Sequence, residues 1–280
     1  MDYLARMRRR IEGKERCVPG RLGDKLVGRE LATLIGVRSA TIVERRTGVG
    51  LPDDLSSLPT RFVLKPVFGS TSMGVLLLER AADGFVDLTT GAVLAPEDVV
   101  DVQKKVADHF TKAHDTAEFL VEELLVSPDG EIPPQDVRFY AFQGEIGLIL
   151  KEDHMHEVTR AMYFGSDFSP LRDVRSKYGV HAGVAHMEEI VDAVVPERAE
   201  ELLSVARRIS VAVPSPFARI DLLLATGGVY LGEITLYPGT FYYGNRKLMS
   251  PGESERLGSL WESAERRLLG SAGFQAEVSG

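Results

Sequence analysis

Two carboxylates stand in this chain where hydrophobic side chains are expected. The stretch 217–239 holds an apolar run from Ile220 to Ala225, a Thr226-Gly227-Gly228 turn and a second apolar run from Val229 to Leu236. This pattern is that of a β-hairpin, and it carries Asp221 in one strand and Glu233 in the other. An unpaired carboxylate on a buried strand is expensive, so each acid should meet a cation, a metal or a dense set of donors. Paired through the turn, the two lie roughly opposite each other on one face and repel unless positive charge sits between them. A magnesium ion bridged to a nucleotide phosphate is the usual solution. The alternative is an edge strand whose acids face water, and the hairpin alone does not choose.

A second constellation lies upstream. Phe62 to Leu64 forms a β-rich run that places Lys65 on or beside a strand ended by Pro66; the small-residue loop Gly69-Ser-Thr-Ser-Met-Gly74 and a strand from Val75 to Glu79 follow. Such a loop offers backbone N–H groups and hydroxyls to anions, and the lysine at its base adds charge. It is not a P-loop, which would end in Gly-Lys-Ser/Thr and lead into a helix. A plain hairpin with a snorkelling lysine is the alternative. A third cluster, Glu122 and Glu123, ends the apolar run from Glu118 to Val126. An acid there can accept from sugar hydroxyls or an exocyclic amine. Neighbours on a strand point opposite ways, so only one of the two faces a given pocket.

The elements that must hold these groups are legible around them. Asp24 caps a helix from Lys25 to Ile35, closed by Gly36. Ala40 to Glu44 reads as a short strand and 48–59 as a polar connection. From Pro96 a helix turns Val99, Val102, Val106 and Phe110 to a sheet and leaves Lys104 and Lys105 in water. A hairpin turns at Gln143-Gly144; Pro196 opens a helix over 197–209; a last helix over 253–269 aligns Leu257, Trp261, Ala264 and Leu268.

Other residues offer weaker chemistry. Arg160, Arg172, Arg175 and Lys177 fall in an irregular region and read as anion contacts or solvated charges. Tyr242, Tyr243, Asn245 and Arg246 follow directly on the Glu233 strand, as substrate contacts or packing aromatics. His154 and His156 sit two apart among acids, but no second cluster completes a zinc site.

Bulk properties exclude several classes. Of 280 residues, 33 are Lys or Arg and 41 are Asp or Glu, a net charge of −8, which argues against a general nucleic-acid binder. The basic cluster Arg6 to Arg10 reads as a solvated helix face. Cys17 is the single cysteine, so no internal disulfide forms. No apolar run suggests a membrane span and the N-terminus lacks a signal-peptide core, so a cytoplasmic protein is expected.

Taken in order, Lys65-Pro66, the small-residue loop, Val121-Glu-Glu-Leu-Leu125, Arg219-Ile-Asp221 and Gly232-Glu-Ile-Thr-Leu-Tyr-Pro-Gly239 resemble the ATP-grasp superfamily, and within it the TupA-like branch. The resemblance spans about residues 22–270. It implies an α+β fold of two lobes with antiparallel sheets holding ATP between them, divided into a reduced N-terminal segment (1–60), a phosphate-loop lobe (61–125) and a lobe with the metal and substrate regions (126–280). By position, Lys65 resembles the lysine that reaches the phosphates, and Lys25 is a further nucleotide contact. Gly69, Ser70, Thr71 and Ser72 resemble the loop that closes on the γ-phosphate. Glu122, Glu123, Leu124 and Leu125 resemble the strand that meets the nucleoside. Asp221 and Glu233 resemble the magnesium ligands, with Thr235 where many relatives carry Asn, and Arg219 the basic residue beside the transferred phosphate. The implied activity is an ATP- and Mg²⁺-dependent carboxylate–amine ligase working through an acyl phosphate on small-molecule substrates. A small-molecule kinase or a non-catalytic nucleotide-binding module are the alternatives. Because only about sixty residues precede Lys65, a homodimer or a partner protein completing the substrate site is also expected.

Overall fold

The computed structural model describes residues 1–15, 18–68, 73–153 and 158–278. The chain opens with α1 (Tyr3–Ile11), α2 (Lys25–Leu34), β1 (Arg38–Ser39) and β2 (Ile42–Thr47). It continues through β3 (Arg61–Pro66), β4 (Leu76–Ala81), β5 (Gly84–Asp87), β6 (Val93–Leu94), α3 (Pro96–Phe110) and β7 (Glu118–Glu123). These strands build a six-stranded sheet, in the order β2-β7-β3-β4-β5-β6, with every pair antiparallel. Helix α3 seals it: Val99 and Ala107 join Phe62, Leu64, Leu78, Phe85 and Phe119 in one core. Lys104 and Lys105 are exposed on its outer side, as the spacing predicts. Gly74 precedes β4 at φ +75°, where a Cβ would lie 2.5 Å from Val106 Cγ2. Only glycine lets the chain pass that close to α3.

The second half contains β8 (Asp136–Phe142), β9 (Glu145–Asp153), β10 (Thr159–Phe164), α4 (Val174–Lys177), β11 (Tyr178–Val180) and β12 (Glu188–Ile190), then α5 (Ala199–Ala212), β13 (Ala218–Ala225), β14 (Gly228–Thr235), β15 (Lys247–Met249) and α6 (Pro251–Val278). A seven-stranded sheet runs β1-β14-β13-β8-β9-β10-β12, antiparallel except at its two edges. Strands β11 and β15 pair separately. The Gln143-Gly144 turn takes positive φ at both residues, 50° and 87°, the primed geometry that matches strand twist. One face of this sheet packs on α2 and α5 through Ala32, Leu202, Ala206, Ile209, Phe139 and Ile220. The other packs on α1 and α6 through Tyr3, Met7, Tyr140, Phe217, Leu257 and Trp261.

Two expectations are corrected. The strand read at Ala40 to Glu44 is β2, shifted to Ile42–Thr47, and a separate β1 at Arg38–Ser39 precedes it; β1 joins the seven-stranded sheet and β2 the six-stranded one, so the chain crosses between sheets at Ala40-Thr41. The Arg6 to Arg10 cluster is a solvated face only at Arg8 and Arg9, which are exposed. Arg10 is buried and Arg6 bonds Glu265 of α6 at 2.8 Å, because α1 lies along α6 rather than in water. Among the described residues, no helix is long and apolar enough to cross a membrane.

Candidate active site

Strands β13 and β14 pair from Ala225↔Gly228 inward to Leu222↔Leu231, and then the register slips. Continued unchanged, it would set Glu233 opposite Ile220 and turn it to the α5 face, because side chains alternate along a strand. Instead Gly232 bulges out, Asp221 faces Glu233 directly and Arg219 faces Thr235. A Cβ at Gly232 would sit 3.1 Å from the Asp221 carbonyl oxygen, a bulge position suited to glycine.

Four polar side chains therefore converge. Arg219 donates to Asp221 through Nε (2.8 Å) and Nη2 (2.5 Å), and the same Nη2 reaches Glu233 Oε1 at 2.9 Å and Thr235 Oγ1 at 3.1 Å. Thr235 donates to Glu233 at 2.7 Å. Burial pushes the Asp221 carboxyl up to about 7 against the attraction of Arg219. Burial also pushes Glu233 upward, but Arg219, the Thr235 hydroxyl and Lys25 outweigh it and hold it below the ordinary range. Arg219 stays charged: burial opposes it, and Asp221 more than compensates.

The charged row continues across the same face. On β8, Arg138 lies opposite Asp221, bonds Asp136 at 2.6 Å and pairs with Glu152 of β9. Lys247 bonds Glu152 at 2.5 Å and also Glu188, which meets Arg246 at 3.3 Å. Burial pushes the Lys247 amine down to about 8.

Strand β3 and helix α2 bring further cations near this row. Lys65 of β3 pairs with Glu122 Oε2 at 2.8 Å, and Arg29 of α2 takes Glu122 Oε1 at 2.5 Å. Lys25, at the start of α2, donates to the Pro66 carbonyl at 3.0 Å. Burial and then the neighbouring Lys65 push its amine down, while Glu233 and Glu122 pull it up. Lys25 thus stands between both sheets, within the field of each. Glu123 points the other way and accepts from the Thr41 amide and hydroxyl, at 2.7 and 3.0 Å. Leu124 and Leu125, half-buried, leave the strand and begin the link to the second sheet.

Lys25 of α2 thus stands within the field of both Lys65 and Glu233, and the family model for the TupA-like ATPgrasp matches residues 51–251. The chain belongs to the TupA-like ATP-grasp family. The D-alanine–D-alanine ligase of Bacillus anthracis, solved in complex with ATP, is 15% identical, with 90% of this chain and 69% of that chain covered and a TM-score of 0.50. Another structure of that ligase gives 16% identity, 90% and 70% coverage and a TM-score of 0.51. The fold is the ATP-grasp fold. No curated protein matches the chain.

In this ATP-grasp chain the candidate donors suit magnesium. Among the described residues, no three His, Cys, Asp or Glu side chains are arranged to hold a metal ion. Asp221, Glu233 and Thr235 are thus a partial oxygen set, of the kind that phosphates and water complete. Burial first, and then the neighbouring Asp136, raise the Asp221 carboxyl against Arg219 and Arg138, a shift that an added cation would oppose.

Other expected residues are placed elsewhere. Arg160 lies on β10, three strands from β13 and on the opposite face, bonded to Glu189. Arg175 braces the Ile190 carbonyl at 3.0 Å. Arg246 meets the buried row through Glu188, Tyr242 packs partly against the α6 face, and Tyr243 and Asn245 are exposed. Gly69, Ser70, Thr71, Ser72, Cys17, His154 and His156 lie outside the described residues. Sequence reasoning missed Arg29 and Arg138. The signal for Arg138 was there: a cation in an apolar strand raises the same question as Asp221. A groove of about 740 Å³ opens at the Gln143-Gly144 end of the large sheet. It is lined partly by Lys177, Arg256 and Arg267, which already bond Glu253 and Glu145, and none of the Arg219 cluster or its neighbouring charged row lines it.

Proposed function

We propose that this chain is an ATP-dependent carboxylate–amine ligase that forms an amide or peptide bond through an acyl phosphate. The observation that carries the reading is the Arg219 cluster, in which one guanidinium joins Asp221, Glu233 and Thr235 opposite Lys25 and Lys65. Family membership supports it.

In this reading Lys65 and Lys25 bind the nucleotide phosphates. Asp221, Glu233 and Thr235 would hold magnesium, which neutralises phosphate charge. Arg219 and Arg138, fixed by their carboxylate partners, keep positive charge at the hairpin where the γ-phosphoryl group passes to a substrate carboxylate. Preorganised charge of this kind supplies most of the catalysis in phosphoryl transfer. Glu122 orients Lys65, and the 124–125 backbone is free of strand pairing to meet the base.

The test is incubation of the pure protein with ATP, Mg²⁺ and a panel of amino acids and peptides. ADP, phosphate and a new amide are expected. A stable phosphorylated product would make it a kinase, AMP release would reject the mechanism, and binding without turnover would make it a nucleotide-binding module.

A further inference from the structure

Arg10 lies in α1, outside the matched residues 51–251. It is 1% exposed, yet each of the five N–H groups of an arginine finds an acceptor. Nε and Nη2 donate to Glu15 at 2.6 and 2.8 Å. Nη2 also donates to Ser215 Oγ at 3.0 Å, and Nη1 to the carbonyls of Phe217 and Leu236, each at 3.0 Å. The plane is held from the side by Trp261, whose ring centre is 4.4 Å from Cζ, and Trp261 stacks on Phe217.

Those two carbonyls belong to the residues that flank the two strands of the site hairpin, one before β13 and one after β14. The β13/β14 ladder closes at Arg219↔Thr235; Leu236 lies one residue and Phe217 two residues past its open end. Hairpin mouths fray, because beyond the last pair no ladder bond fixes the strand separation. Here one nitrogen bonds both flanking residues, so the two carbonyl oxygens lie within about 6 Å of each other, twice the hydrogen-bond length. Ser215 Oγ donates to the same Phe217 carbonyl at 2.9 Å.

We propose that Arg10 is a positioning residue for the metal and phosphate site. It clamps the mouth of the hairpin so that Arg219 and Thr235, the last cross-strand pair, and Asp221 and Glu233 next to them keep the spacing that ligation needs. Magnesium tolerates little departure from octahedral geometry, and supporting contacts set the precision of such sites. A lysine cannot replace the clamp: its single ammonium cannot serve acceptors spread over a planar fork. The inference rests on the reading of Asp221, Glu233 and Thr235 as the metal site.

The test measures binding of Mn²⁺ with a non-hydrolysable ATP analogue by calorimetry, which needs no substrate. Arg10→Lys is compared with Met7→Ala, which hollows the same helix at a buried position and leaves the Arg10 hydrogen bonds in place. With both folded by circular dichroism, Arg10→Lys should weaken binding by about tenfold or more, the usual effect of losing a supporting contact, while Met7→Ala stays near wild type. Wild-type affinity in Arg10→Lys, or an equal loss in Met7→Ala, overturns the proposal. If Arg10→Lys does not fold, Ser215→Ala replaces it, with a weaker loss expected and no loss overturning it. Failure of the metal assignment reads differently: Glu233→Gln would then bind as tightly as wild type.

Discussion

Arg219 and Asp221 form a two-point pair, Nε to Oδ1 at 2.8 Å and Nη2 to Oδ2 at 2.5 Å, and the same Nη2 reaches Glu233 at 2.9 Å. The two carboxylates assigned to a metal are therefore joined by a cation of the protein's own. That guanidinium keeps two acids compatible on one strand pair and presents positive charge where a phosphoryl group is proposed to move.

Removing that cation should separate stability from chemistry. Arg219→Gln leaves buried Asp221 without its main partner, a loss of about 3–5 kcal/mol for a broken buried pair, read by denaturant unfolding in chelator. Turnover should fall by about 10²–10³, the cost of losing one preorganised donor. Unchanged turnover would remove Arg219 from the site.

The pH dependence follows from Asp221. Its folded-state value, about 7, lies above the ordinary carboxylate value of 3.8. Folding therefore takes up a proton between those values, and this group favours the folded state increasingly as pH falls through that window. Without metal, wild type should gain on Asp221→Asn as pH drops from 7.5 to 4.5, by at most about 1.4 kcal/mol per unit. Parallel stability curves for the two proteins would contradict this.

Gly232 is the residue that turns Glu233 to the correct face. Gly232→Ala puts a Cβ 3.1 Å from the Asp221 carbonyl, and overpacking of this kind costs about 1–3 kcal/mol. The expected signature is a folded protein whose Mn²⁺ affinity drops more than its melting temperature suggests; titration and a thermal scan check it.

Lys65 is held by Glu122 at 2.8 Å. Lys65→Met should weaken nucleotide-analogue binding by at least about tenfold, equivalent to a lost charge-assisted contact of some 1.5 kcal/mol, with the fold intact by circular dichroism. Equal affinity would exclude Lys65 as a phosphate contact.

How far the sequence reaches is shown by particular residues. The hairpin turn, its two acids and the Lys65 strand were readable, because each broke a local pattern of apolar alternation. The facing of Asp221 and Glu233 was also expected, but the turn alone sets the opposite parity; the Gly232 bulge supplies the missing residue, and a glycine next to an acid in a strand is its only trace. Arg10 could not be read. Its neighbours are basic, and only the packing of α1 on α6 and Trp261 buries it. The crossing at Ala40-Thr41 was hidden for a similar reason: two short strands close in sequence, Arg38–Ser39 and Ile42–Thr47, join different sheets, which no local periodicity records.

The most direct measurement is Mg²⁺-dependent conversion of ATP in the presence of a carboxylate and an amine, comparing wild type with Asp221→Asn and Glu233→Gln. Formation of ADP and an amide by wild type, abolished in both folded variants, is the predicted result. Release of AMP, or turnover in either variant near the wild-type rate, would contradict the account.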